Sequence, residues 1–259
     1  MRFDSGLNIK PLFAPLGFSY GKDCFGPEVE NRTLDAIRKS LQDPDCEGPE
    51  IVYSIAMDVG NIKDKEKIVD RNLLYGVVTY EKGKLGNEPV RSQGHIHAVS
   101  SSCNSSTCEV YEIWSGSAYI LMQEKAAVNP GRCFAVLANV GDVVIVPPYW
   151  AHATIVANIE KRLTFGAWCV RDYGFDYEDV RAYKGLAYFP IVNEDSSITF
   201  IKNENYGFSE LIVKSPREYK EFNIEKGKSI YRQFEENPDR FLFVSNPELA
   251  EDKWINFIP

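Results

Sequence analysis

Histidine is scarce in this chain, with three among 259 residues, so any site built on imidazole uses nearly all of it. A basic excess is missing too, because 29 Lys and Arg stand against 37 Asp and Glu for a net charge of −8. Proteins that bind nucleic acid draw affinity from neutralising phosphates, so this balance excludes a generic basic binder and leaves small anionic ligands open. No apolar run approaches the roughly 18 residues of a membrane span, and Met1-Arg2-Phe3-Asp4-Ser5 leads into no signal-like core. The expectation is a soluble, cytoplasmic protein with neither a membrane nor a nucleic-acid partner. Cys24, Cys46, Cys103, Cys108, Cys133 and Cys169 form no C-x-x-C pair, which predicts free thiols, with a Cys103–Cys108 bridge across a short loop as the alternative. Asn31 and Asn104 head glycosylation triplets that are chance matches in a protein never secreted. Fixed-period repeats, low-complexity tracts and long charge blocks are also missing.

What is present divides into three zones. Residues 1–48 mix glycine and proline with one helical stretch, Thr33 to Gln42, where Leu34, Ile37 and Leu41 recur at i, i+3 and i+7 before Pro44. This zone reads as an arm packed on something larger. Residues 49–184 carry short β-like runs at Ile51–Met57, Leu74–Tyr80, Glu109–Trp114, Ala118–Gln123, Cys133–Ala138, Val143–Val146, Ala153–Val156 and Leu163–Val170. Turn signals such as Ser115-Gly116-Ser117 and Asn129-Pro130-Gly131 separate them, which predicts an antiparallel all-β core. Residues 185–259 read as a mixed α/β extension packed on that core, with helix starts predicted at Ser215-Pro216-Arg217-Glu218 and Asn246-Pro247-Glu248.

All three histidines fall in the β zone. His95 and His97 flank Ile96, so on a strand both imidazoles face one side, as a shared metal requires. Taken alone, the pair fits two ordinary histidines as well. Glu109 opens the next run, where alternation groups it with Tyr111 and Ile113, and His152 follows the apolar run Val143–Val146 after Pro147-Pro148-Tyr149-Trp150-Ala151. Three neutral nitrogens and one carboxylate suit iron(II), manganese, nickel, cobalt or zinc better than magnesium or calcium.

The run from Gly94 to Gly116 resembles the first motif of the cupins, and Gly141 to His152 resembles the second. The loop from Ala98 to Cys108 is longer than a plain cupin has, and Val156 stands where a supporting asparagine is expected. Within the cupins, Gly94-His95-Ile96-His97-Ala98, Glu109-Val110-Tyr111 and Val146-Pro147-Pro148-Tyr149-Trp150-Ala151-His152 look like the cupin-type glucose-6-phosphate isomerases, a match reaching from the helix at 33–42 to Tyr177. The resemblance implies a cupin-type antiparallel β-barrel or jelly roll, a homodimer, and one divalent transition metal, iron(II) first with manganese, nickel or zinc as alternatives, held by His95, His97, Glu109 and His152. It implies Glu109 and Tyr111 as catalytic groups, Glu109 moving a proton between adjacent sugar carbons, although the sequence does not separate that from a hydride shift. The bland reading of Tyr111 is a ring that fills the barrel.

Phosphate in such isomerases is held by hydroxyls and backbone amides. Ser92, Gly94 and Tyr177 match that pattern, and Tyr149 is a candidate at the mouth. An expected threonine falls on Val78, with Thr79 adjacent as a substitute, and an expected tyrosine falls on Cys169. Lys84, Arg91 or Arg171 could supply local positive charge. The leading expectation is therefore a metal-dependent isomerase of glucose 6-phosphate and fructose 6-phosphate. The alternatives are a cupin isomerase of a free sugar of the lyxose or mannose type, a cupin dioxygenase or decarboxylase, and a non-catalytic metal-containing sugar sensor.

Overall fold

The computed structural model describes residues 3–259. Ten strands build its body: β1 (Glu30–Thr33), β2 (Ile51–Met57), β3 (Leu73–Tyr80), β4 (Glu109–Ser115), β5 (Ser117–Gln123), β6 (Cys133–Asn139), β7 (Val143–Val146), β8 (Ala151–Val156), β9 (Leu163–Val170) and β10 (Leu211–Lys214). They form a six-stranded sheet in the order β7-β4-β9-β3-β2-β1 and a four-stranded sheet in the order β8-β5-β6-β10. Every pairing is antiparallel except β6 with β10. The sheets pack as a two-layer sandwich of the jelly-roll kind, and among the described residues no ladder closes them into a barrel.

The pattern of burial explains why the strands read so clearly in sequence. All eight residues of β3 and all eight of β9 are buried. Val78, Tyr80, Phe165 and Ala167 face the interior of the sandwich, where Ile120, Phe134 and Val136 meet them from the second sheet. Tyr75, Val77 and Trp168 face outward, yet they are covered by Tyr231, Phe234 and Phe241 of the C-terminal segment. Trp168 lies 4.6 Å from the Phe234 ring and 5.6 Å from that of Tyr231, so the outer face is an aromatic core in its own right. Strands buried on both faces become continuous apolar runs rather than alternating ones.

Three departures from expectation concern the segments outside the sandwich core. Glu30–Thr33, within the segment read as an arm, adds to the sheet edge beside β2. The helix expected over 33–42 shrinks to Leu34–Ile37, capped by the Thr33 hydroxyl accepting from Ala36 N–H, followed by a 3-10 turn at Arg38–Ser40. At Ser215-Pro216-Arg217-Glu218 no helix starts; a 3-10 turn follows at Lys220–Phe222, and the Arg217 guanidinium bonds to the Ile258 and Glu218 carbonyls and the Glu221 carboxylate. The helix in this region is Ile230–Glu236, capped by the Ser229 hydroxyl accepting from Arg232 N–H. All six cysteines are free thiols, so Cys103 and Cys108 are not bridged. No helix of the described residues is long and apolar enough to cross a membrane.

Candidate metal centre and sugar cavity

Two short segments bring the histidines together. His95 pairs with His152 across a β-bridge, each backbone N–H donating to the other's carbonyl at 3.0 and 2.9 Å. Gly94 sets this approach with φ of +89°, a region costly to a side-chain-bearing residue. The His95 and His97 rings stack at 5.3 Å, as their spacing predicts, and the His95 and His152 rings meet edge to face at 4.3 Å. Glu109 enters from the first residue of β4. One donor atom from each of His95, His97, Glu109 and His152 lies within 4.8 Å of all the others.

The donor set fits a transition metal on its chemistry. His97 Nδ1 lies 3.0 Å from the Thr107 carbonyl and His152 Nδ1 lies 3.2 Å from the Trp150 carbonyl, which commits those nitrogens as donors and turns each Nε2 inward as a lone pair. His95 Nε2 is buried without a hydrogen-bond partner, a cost that an ion would remove. Glu109 Oε2 receives the Tyr111 hydroxyl at 2.8 Å and lies 3.2 Å from His97 Nε2 and 3.4 Å from His152 Nε2. Burial, reinforced by the neighbouring imidazoles, pushes the His95 pKa well below its ordinary value, and burial also lowers that of His152. Burial alone would raise the Glu109 carboxyl, but the His152 and His97 imidazoles facing it outweigh that and hold the group well below the usual carboxylate range. Neutral imidazoles beside an ionised carboxylate are the ligating forms.

The long loop after His97 is tied to this centre. Ser106 Oγ donates to the His97 carbonyl at 2.7 Å and accepts from Tyr149 N–H at 2.9 Å. Farther out, Asp172 accepts from the hydroxyls of Ser100, Ser101 and Ser102, from Ser102 N–H and from Asn72 Nδ2. The serine-rich insertion is thus wrapped around one carboxylate.

Beside the cluster lies a cavity that opens to solvent. His95, Glu109, Tyr111 and His152 form one end of it, and Ser92 and Tyr177 also line it. Ser92 Oγ accepts from Thr154 N–H at 3.0 Å and stands beside the Tyr80 hydroxyl. His97 completes the donor cluster without lining the cavity, and Gly94 acts through its backbone geometry. Two expected contacts are not brought there. Val78 lines the cavity, so strand alternation sends Thr79 to the opposite face, where its hydroxyl is buried against Thr164 Oγ1 at 3.2 Å. Tyr149 sits outside the cavity, 53% exposed at φ 68°, with its hydroxyl accepting from Ser105 Oγ.

The cations suggested by sequence are engaged elsewhere. Arg91 is buried against Glu88 and the Ser40 carbonyl, Arg171 forks onto Asp58, and Lys84 does not line the cavity. Arg32 and Tyr53 line it instead. Neither drew attention in sequence, because both reach the cavity through pairing of β1 and β2 with β3, a long-range event with no local signature.

Comparison with known proteins supplies the remaining evidence. A sequence model of the glucose-6-phosphate isomerase (GPI) family matches residues 33–207. The chain is 32% identical over 157 residues to a glucose-6-phosphate isomerase of Thermococcus litoralis, covering 61% of this chain and 73% of that one. It is 28% identical over 200 residues to a glucose-6-phosphate isomerase of Pyrococcus furiosus, covering 71% of this chain and 98% of the relative. Among solved structures it is similar to vicilin from Corylus avellana, at TM-score 0.36 and 11% identity over 51% of this chain and 33% of that one. An oxalate decarboxylase of Bacillus subtilis is similar at TM-score 0.33 and 16% identity, over 51% of this chain and 27% of that one.

Proposed function

This chain belongs to the glucose-6-phosphate isomerase family, and from that premise we propose that it interconverts glucose 6-phosphate and fructose 6-phosphate with one divalent metal ion per chain. The observation that carries the metal requirement is the closed donor set of His95, His97, Glu109 and His152, with a buried, unpartnered Nε2 on His95. An ion held there supplies Lewis-acid polarisation of adjacent sugar oxygens, and iron(II) or manganese suits this nitrogen-rich set.

The chain's own residues do the rest. The cavity walls are largely apolar, with Val78, Phe165 and Ala167 on one side, so they strip water from the reacting carbons and strengthen every polar contact inside. Tyr111 Oη, bonded to Glu109 Oε2 at 2.8 Å, can turn its proton to a developing sugar oxyanion. Glu109 is the one carboxylate among the described residues that line the cavity, and it carries the proton between the two adjacent carbons. Ser92 donates to the substrate from the facing wall.

A second reading has its own observation. Val78 and Cys169 line the cavity where the family resemblance expects hydroxyls, which favours a free sugar over a phosphorylated one. The test is fructose 6-phosphate formation from glucose 6-phosphate by the native chain and by His152→Ala, alongside unphosphorylated glucose and mannose. The proposal expects turnover of the phosphorylated sugar and loss of both activity and bound metal in the variant. Turnover of free sugars alone would replace the substrate, and unchanged metal content in His152→Ala would overturn the ligand set.

A further inference from the structure

We infer that Arg32 is the anion clamp of the cavity and holds the terminal phosphate of the sugar, an inference that rests on the sugar-phosphate reading above. Two positions where that reading expects hydroxyls carry Val78 and Cys169, and neither can replace them as a strong donor. A phosphate dianion in that space needs another source of donors. Among the described residues that line the cavity, Arg32 is the one cationic side chain.

Its position follows from the sheet. Arg32 stands opposite Tyr53 on β2, and Tyr53 stands opposite Tyr80 on β3, so the three form a row along the inner face at the β1 edge. Tyr53 stacks on Tyr80 at 4.7 Å between ring centres, which fixes the floor beneath the guanidinium. Tyr53 and Tyr177 both interact with Arg32, so their hydroxyls stand beside it. Glu109 on β4 and Arg32 on β1 are separated by four strand spacings, roughly 19 Å along a flat sheet. Both nevertheless line one cavity, so sheet curl brings them closer than that.

Arg32 is not locked in place as Arg91 and Arg171 are. Its ion-pair partner is the Glu30 carboxylate, 62% exposed against 22% for the Arg32 side chain, and its other partners are the neutral hydroxyls of Tyr53 and Tyr177. An ion pair so exposed is weak and exchanges readily for a better anion. The guanidinium has five N–H donors and matches phosphate with two parallel bonds, which lysine cannot do.

Inorganic phosphate titrated into the native chain, Arg32→Ala and Arg32→Lys, with thermal melting as the readout, tests the clamp apart from catalysis. Phosphate is expected to raise the melting temperature of the native chain, to have little effect on Arg32→Ala and an intermediate effect on Arg32→Lys. In the isomerase assay, Arg32→Ala is expected to raise KM for glucose 6-phosphate by about 10- to 100-fold, with kcat changed far less. Equal phosphate stabilisation of all three proteins, or none in the native chain, would overturn the clamp. Turnover of unphosphorylated sugars alone would overturn the substrate reading, while a melting shift lost in Arg32→Ala would still uphold the clamp. If Arg32→Ala does not fold, Arg32→Gln and Arg32→Lys carry the same comparison.

Discussion

An imidazole becomes a dependable ligand when its second nitrogen is already spent, and His97 and His152 each spend Nδ1 on a backbone carbonyl. The grouping of these residues was legible in sequence, because the H-x-H spacing, Glu109 at the head of a strand and His152 after an apolar run are all local patterns, whereas the Nδ1 bonds were not. Thr79 was misread for the converse reason: one residue of register moves a side chain to the other face, and only the strand pairing fixes that register. Glu112, on the outer face of β4, makes a separate prediction. It accepts from Ile230 N–H at 2.8 Å, and burial pushes its pKa up to about 8. The folded chain therefore holds a proton there that the unfolded chain releases near the ordinary value of 4.5. Between those two values the folded state binds more protons, so stability falls as pH rises and levels off above about 8. Glu112→Gln keeps the acceptor and removes the ionisation. Its melting temperature is expected to decline less than that of the native chain from pH 5 to 8; parallel declines would contradict a buried, protonated Glu112.

At the scale of elements, the strands of the sandwich were the easiest to find. Ile51–Met57, Val143–Val146 and Leu163–Val170 begin and end where the apolar runs do. The C-terminal segment was harder, because its aromatic residues sit on helices and 3-10 turns of four to seven residues, too short for a helical period to emerge. The loop from Ala98 to Cys108 read in sequence as longer than that of a plain cupin. In the structure it is held by Asp172 at one end and by Ser106 on the His97 carbonyl at the other. Asp172 would reach a bound metal only by positioning this loop, so Asp172→Ala is expected to weaken metal binding about tenfold or more while leaving the fold intact. Metal titration calorimetry of the variant checks this; native affinity would show that the loop does not set the ligand geometry.

Across the whole molecule, two layers of sheet and an aromatic cover on the outside support one polar cluster near an open cavity. The acidic charge balance and Arg32 in that cavity are compatible, since a local guanidinium attracts an anion at contact range whatever the distant screened charges do. All three histidines converge on one point, so in the proposed mechanism proton transfer falls to Glu109 and Tyr111. The most direct test of this account is isomerase activity measured against metal content. A chelator-stripped chain should be inactive toward glucose 6-phosphate, and added iron(II) or manganese should restore activity in proportion until one equivalent per chain is bound. Full activity in the metal-free chain would contradict it.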